Sequence, residues 1–279
     1  MRWMFTAIAA AIVSISSSFA QERVVSIGGD LTEIIYILGE EDRLVATDTT
    51  SVYPPAANQT PKVGYVRQLS AEGVLSVEPD LILISGAAGP DAAVELLEAS
   101  GVKMVSLPTE YTPASILRKI DVVSEALGAE ERGAELRRKV EADIKETEAA
   151  IDALSIKPRI LFFFGSSGAA RSAGVETAAH GVIEMLGGEN VFASQIGYKA
   201  LSLESAVAAD PDLILLMAQT AAGLGGVEQV RNHDALKLTS AAQEGRILVV
   251  DPVTVMQFGP RTPEAVSALA REANELLSQ

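Results

Sequence analysis

Leu69-Ser70-Ala71-Glu72 and Pro79-Asp80-Leu81-Ile82-Leu83 return later in the chain as Leu201-Ser202-Leu203-Glu204 and Pro211-Asp212-Leu213-Ile214-Leu215, every identity at an offset of 132. Just upstream, Val63-Gly64-Tyr65 is echoed by Ile196-Gly197-Tyr198 at an offset of 133, so one residue has been gained or lost between the clusters. One offset held across two clusters marks the two halves as related units, each with a loop, a helix and a strand in the same place.

Working outward from the repeat, short apolar runs alternate with helical stretches. Val24–Ile27, Leu44–Thr47, Leu81–Ser85 and Met104–Leu107 read as buried strands, and Ile160–Phe164, Leu213–Met217 and Ile247–Val250 repeat the theme. Leu31–Leu38 and Asp91–Ser100 read as helices between them. Such alternation implies βαβ units on a mostly parallel sheet. Between the halves, from about Ala129 to Leu154, the residues Leu136, Val140, Ile144, Ile151 and Leu154 form one apolar stripe on a charged helix, which ends at Lys157-Pro158. The expectation is an α/β protein of two Rossmann-like lobes with mostly parallel sheets, joined by one long helix. Its parts are a signal segment over 1–20, an N-terminal lobe over 21–128, a bridging helix over 129–157 and a C-terminal lobe over 158–279. A last helix is expected from Thr262, with Thr262 as N-cap and Pro263 at its first position.

Arg2, the apolar run from Trp3 to Ile15 and Ser18-Phe19-Ala20 have the layout of a cleaved export signal. That run falls short of the roughly 20 apolar residues that span a bilayer. No cysteine occurs, which excludes disulfides, thiol chemistry, cysteine-held metals and a lipid anchor on an N-terminal cysteine. A free periplasmic protein is therefore expected. The formal charge is −15 and no Lys/Arg-rich stretch stands out, so nucleic acid is not an expected partner.

Enzyme signatures are missing. Gly165-Ser166-Ser167-Gly168 follows a strand but has neither the lysine of a phosphate-binding loop nor the spacing of a nucleophile elbow. The chain has two histidines. His180 lies in an apolar helical stretch and His233 in a polar loop, and both read as structural or solvated. No carboxylate or histidine set has metal-ligand spacing.

In open α/β sheets ligands bind beyond the carboxyl ends of the strands. Two facing lobes then make a cleft, which Tyr65 and Tyr198 are expected to enter from opposite sides. Arg67 stands two residues from Tyr65, and in an extended stretch the two would point the same way. A guanidinium beside a phenol favours the phenolate, a hard oxygen ligand suited to ferric iron. Read from the residues alone, the pair is either such a site or a packed loop tyrosine beside a solvated arginine. Lys199 and Arg261 are further candidate cleft cations.

Ser51-Val52-Tyr53-Pro54, the stretch Val63-Gly64-Tyr65-Val66-Arg67-Gln68-Leu69-Ser70-Ala71-Glu72-Gly73, Gly197-Tyr198-Lys199-Ala200-Leu201-Ser202 and Phe258-Gly259-Pro260-Arg261-Thr262 carry a family resemblance. With these motifs the chain resembles the periplasmic haem-binding proteins of ABC-type haem-uptake systems, a branch of the binding proteins that also serve cobalamin and ferric siderophores. The likeness spans essentially the whole chain after residue 20 and is most specific around Tyr65. It implies that Tyr65 ligates the iron of haem b, that Arg67 hydrogen-bonds near the ligand oxygen, and that Glu72 and Glu204 meet arginines on a permease dimer. Where some members carry a histidine after the first strand of the C-terminal lobe, this chain has Phe164-Gly165-Ser166-Ser167-Gly168. One haem per protein, on five-coordinate tyrosine-ligated iron in a monomer, is the resulting expectation. A cobalamin or ferric-siderophore carrier is the alternative, and the absence of Trp beyond Trp3 weighs against cobalamin.

Overall fold

The structure is a computed structural model that describes residues 22–166 and 169–278. The expected signal segment, with Arg2 and Trp3, lies outside the described residues, as do Ser167 and Gly168 of the Gly-rich loop.

The N-terminal lobe runs β1 (Val24–Ile27), α1 (Gly29–Ile37), β2 (Leu44–Thr47), the short strands β3 (Gly64–Tyr65) and β4 (Gln68–Leu69), α2 (Ala71–Leu75), β5 (Leu81–Ser85), α3 (Asp91–Ala99) and β6 (Lys103–Leu107). Its sheet has the order β2-β1-β5-β6, all parallel. Two helices, α4 (Pro113–Leu127) and α5 (Glu130–Asp152), follow as an antiparallel pair. Gly128 caps α4 in the left-handed region at φ 66°, a conformation that favours glycine. Only α5 stands out in the sequence as a charged helix with one apolar stripe, and α4 is an addition to the expected architecture.

The C-terminal lobe runs β7 (Arg159–Ser166), β8 (Ala169–Ala173), α6 (Ala178–Met185), β9 (Glu189–Asn190), β10 (Tyr198–Ala200), α7 (Leu203–Ala209), β11 (Leu213–Met217), α8 (Ala218–Leu224), α9 (Val227–Arg231), α10 (Ser240–Glu244), β12 (Ile247–Val250), α11 (Pro252–Val255) and α12 (Thr262–Leu277). β7, β11 and β12 are parallel, as expected, but β8 and β10 extend the sheet as antiparallel strands in the order β10-β8-β7-β11-β12. Thr262 is the first residue of α12 rather than its cap. Its hydroxyl donates to the Thr254 carbonyl at 2.8 Å instead of closing the helix end.

The repeat is structural. Ser70 and Ser202 cap α2 and α7 through their hydroxyls, and β5 and β11 are the equivalent strands beyond. Glu78 and Asp210 both take left-handed φ, at 47° and 40°. Asp80 and Asp212 then each accept the N–H that opens the neighbouring strand, from Arg23 at 2.8 Å and Arg159 at 2.7 Å. The missing residue also has a visible consequence. With the extra residue, 64–69 folds into the β3–β4 hairpin; without it, 197–201 runs straight along the sheet edge as β10.

The central strands β1, β5 and β11 and the Ile160–Phe163 stretch of β7 bury alternate residues on opposite faces, which is why they read as unbroken apolar runs. Outward-facing Val25, Ile27, Ile82 and Ile84 pack beneath α2 and α3. Inward-facing Val24, Leu81 and Leu83 of one sheet and Ile160, Phe162, Leu213 and Leu215 of the other share a single core with α1, α4, α5, α6 and α12. The lobes are therefore fused at the base and separate only above it.

Polar ties reinforce that base. Lys119 of α4, buried, donates to Asp30 of α1 at 2.5 Å and to the Phe258 carbonyl of the C-terminal half at 3.2 Å. Arg261 grips the buried Glu33 carboxylate with two bonds of 2.9 Å, and Gln257 donates to the Thr50 carbonyl at 3.1 Å. The segment 257–261 thus reaches back across to the N-terminal lobe. Arg261→Met would strand the Glu33 charge, a loss of about 3–5 kcal/mol in urea unfolding. The double variant Glu33→Gln/Arg261→Met is expected to recover part of it, and a single-variant loss below about 1 kcal/mol would show that the pair does not hold the lobes.

Candidate functional site

Tyr65 and Arg67 owe their position to the residue between them. Val66 is buried in the outer core of the N-terminal lobe, and its carbonyl accepts the Gly89 N–H at 2.9 Å. Leu69 returns to the same strut through its own N–H to the Gly89 carbonyl, at 2.8 Å. Gly64 enters the hairpin at φ 111°, which an L side chain rarely adopts. With Val66 pinned inside, Tyr65 and Arg67 are left outside. Their shared direction comes from this turn, with Tyr65 paired to Gln68 and Arg67 in the two-residue loop, rather than from the strand alternation expected of an extended stretch.

Both residues line a cleft between the lobes. Its floor holds Gly28, Gly29 and Asp30 at the start of α1, together with Lys119, Tyr111 and Gln257. Neither the Tyr65 nor the Arg67 side chain makes a hydrogen bond or ion pair among the described residues, and 43% of Tyr65 is exposed. Tyr111 was not singled out in the sequence. It sits just before α4 with its ring 5.3 Å from that of Phe258, and its backbone fits against Gly181, where a Cβ would meet its carbonyl at 2.4 Å.

The opposite wall is built by the C-terminal sheet. Ile160 and Phe162 of β7 point into the shared core, and Phe164, next on that face, emerges 39% exposed. Tyr198 packs 6.3 Å from Phe162 and 6.2 Å from Phe164, ring to ring. This is an aromatic shelf. Burial pushes the Tyr198 phenol up, and Tyr111 adds to that while the Arg67 guanidinium pulls it back. The Tyr111 phenol is likewise raised by burial, with Arg67 opposing and Asp30 adding. Arg67 of one lobe is thus within electrostatic reach of phenols on the floor and on the far wall.

Not every expected cleft residue joins them. Lys199 pairs with Ser172 in register and points to the other face of the sheet, where Phe163 lies. Arg261 is committed to Glu33 and to Thr254, and its guanidinium lies 3.4 Å from the centre of the Tyr53 ring. It is therefore a tie between lobes and not a free cation. Its partner is 228 positions away, so no local pattern announces the pair. Glu72 and Glu204 occupy the first turns of α2 and α7, both exposed and in equivalent places. His180 accepts or donates through Nδ1 with Asn190 at 3.2 Å, and His233 packs edge-on against Phe163 at 5.0 Å, on the far side of the sheet. His233 is thereby on the face away from the aromatic shelf, and His180 is engaged by Asn190 and Glu184.

Comparison with known proteins fits this architecture. Residues 24–254 match the periplasmic binding protein family. The structure superposes on the periplasmic heme-binding protein BhuT in complex with two hemes at a TM-score of 0.86 and 35% identity, covering 92% of this chain and 99% of that one. The apo form of the periplasmic heme-binding protein RhuT from Roseiflexus sp. RS-1 gives 0.85 and 33% over the same shares. A vitamin B12-binding protein of Photorhabdus laumondii is 25% identical over 91% of this chain and 88% of its own length.

The two raised phenols predict an alkaline signature. Free tyrosine ionises near pH 10. A group raised in the fold contributes stability that is complete below its unfolded pKa and is lost as pH rises through the folded value. Ultraviolet titration of the folded protein should show a phenolate component developing above about pH 10, together with falling stability there. Tyr111→Phe/Tyr198→Phe should remove that late component; its persistence would mean that other tyrosines carry it.

Proposed function

The protein belongs to the periplasmic binding protein family, and from that premise we propose that it captures haem in the interlobe cleft for import by an ABC permease. The family consists of substrate-binding transport proteins, not enzymes. The observation that carries the haem reading is the Val66-pinned turn, which presents a phenol and a guanidinium to the cleft, neither side chain hydrogen-bonded or ion-paired among the described residues. A phenolate is a hard anionic ligand for ferric iron. Arg67 lines the same cleft beside it and stands ready to bond the ligand oxygen. The far wall meets this with aromatic surface, suited to a flat macrocycle. The haem-binding neighbours BhuT and RhuT, at 33–35% identity over nearly the whole chain, support the same cargo.

In this reading Tyr65 is the protein's ligand to iron and one haem is bound per chain. The stoichiometry differs from that of the BhuT complex with two hemes. It rests on the far wall, where Phe164 and Tyr198 stand and both histidines of the chain are held elsewhere. The protein acts as a monomer in the periplasm, the compartment of the binding proteins it resembles. Among the described residues no helix is long and apolar enough to cross a membrane. Glu72 and Glu204, one at the same place in each lobe, make matched contacts suited to a two-fold symmetric permease. The fusion of the lobes at their base favours modest closure on the ligand. Cobalamin is the second reading, favoured by the vitamin B12-binding relative.

Titration with haemin, followed at the Soret band, decides between them. The expected result is a one-to-one ferric complex with a tyrosinate-type spectrum, weakened at least about tenfold by Tyr65→Phe, a loss of about 1.4 kcal/mol. Tighter binding of cyanocobalamin or of a ferric siderophore, or no change in Tyr65→Phe, overturns the haem assignment. Charge reversal at Glu72 and Glu204 should leave haemin affinity intact and lower permease-coupled uptake in reconstituted vesicles; lost haemin binding would place those residues in the cleft instead.

A further inference from the structure

We propose that Arg171 is the carboxylate-binding residue of the cleft's C-terminal wall, set at the edge of the aromatic shelf to take a propionate-type carboxylate of the ligand. This rests on the haem reading for the cargo, but on different residues from those that would hold the iron.

Register places Arg171 on the shelf. It pairs with Phe164 of β7 and with Ala200 of β10, so its side chain leaves the sheet on the face that carries Phe164 and Tyr198. Its Nη2 donates to the Tyr198 backbone carbonyl at 3.0 Å, which fixes the guanidinium beside the Tyr198 residue. A guanidinium has five N–H donors. One is used here, and Arg171 is exposed and has no acidic partner among the described residues.

The other basic residues on the strands of this sheet are accounted for. Lys199 points to the opposite face. Arg159 lies at the far end of β7, donating to the Asp210 carbonyl. Arg67, across the cleft, stands two residues from Tyr65 and acts on the phenols. Arg171 is therefore the sheet's one cation, among the described residues, that faces the shelf with donors to spare. A flat apolar ring resting on Phe164 and Tyr198, with an anionic arm at its rim, matches this pairing of surfaces. An anchored, planar fork suits a carboxylate better than a lysine would, because both N–H bonds are pre-aligned.

The test compares haemin with haemin dimethyl ester, whose carboxylates are masked, in the full-length exported protein and in Arg171→Gln. A charge-assisted pair of this kind corresponds to about a tenfold to hundredfold change in affinity. The wild type should bind haemin more tightly than the diester by that order. Arg171→Gln should weaken haemin similarly, leave the diester within about twofold, and keep the tyrosinate-type spectrum. Arg171→Lys should fall between. Equal weakening of both ligands would reveal a packing role, and unchanged haemin affinity would remove the residue from the site; either overturns the proposal. Iron-free protoporphyrin IX and its diester, read by fluorescence, separate this from the iron ligand. If Tyr65→Phe leaves haemin affinity unchanged while the acid-to-ester difference still vanishes in Arg171→Gln, the iron assignment fails and the carboxylate site stands. If the wild type binds no porphyrin, both fall together.

Discussion

Lys119 carries its ammonium into the base of the molecule, where water is almost absent, and joins three elements there: α4 through its own backbone, α1 through Asp30 and the C-terminal half through the Phe258 carbonyl. A buried charge is tolerable only while every partner is in place. That condition fixes the distance between the start of α1 and the segment 257–261, and with it the floor of the cleft. Around this point the shared apolar core does the bulk of the holding, since both sheets bury their inner faces in it. Arg261 and Gln257 add further ties to the same N-terminal lobe. Apolar burial sets the strength of the join, and the polar contacts set its geometry.

On this base the two halves of the repeat stand as near copies with one consequential difference. Capping serine, short helix, left-handed residue, aspartate and buried strand recur at matching places. The single-residue difference between Gly64–Leu69 and Gly197–Leu201 changes a hairpin into a strand. The hairpin thrusts a phenol and a guanidinium forward on the N-terminal side. The strand packs the Tyr198 ring, tilted by 57–58°, against Phe162 and Phe164 on the other. A duplicated scaffold thereby presents two chemically unlike walls, one suited to coordination and charge, the other to an aromatic face.

Much of this was legible in the residues. Strands buried on both faces leave continuous apolar runs, and Val24–Ile27, Leu44–Thr47, Leu81–Ser85, Leu213–Met217 and Ile247–Val250 are found where those runs lie. The α5 stripe was equally clear, because one face packs and the rest is solvated. α4 was missed even though Pro113 opens it and Gly128 closes it. The antiparallel strands β8 and β10 were missed because Ala169–Ala173 and Tyr198–Ala200 are short and partly polar, and an edge strand has little apolar surface to advertise itself.

What the sequence determined by itself is the duplicated α/β plan and the position of the long helix, since both rest on pattern and spacing along the chain. What only the tertiary structure decided is which side chains share the cleft. Tyr111 lines it, Phe164 packs with Tyr198 on the facing sheet, Lys199 is turned away by one step of strand alternation, and Arg261 is consumed by Glu33. The physical reason is the same each time: burial, strand register and ion pairing over 228 positions depend on how distant segments meet, and no window of sequence contains both partners.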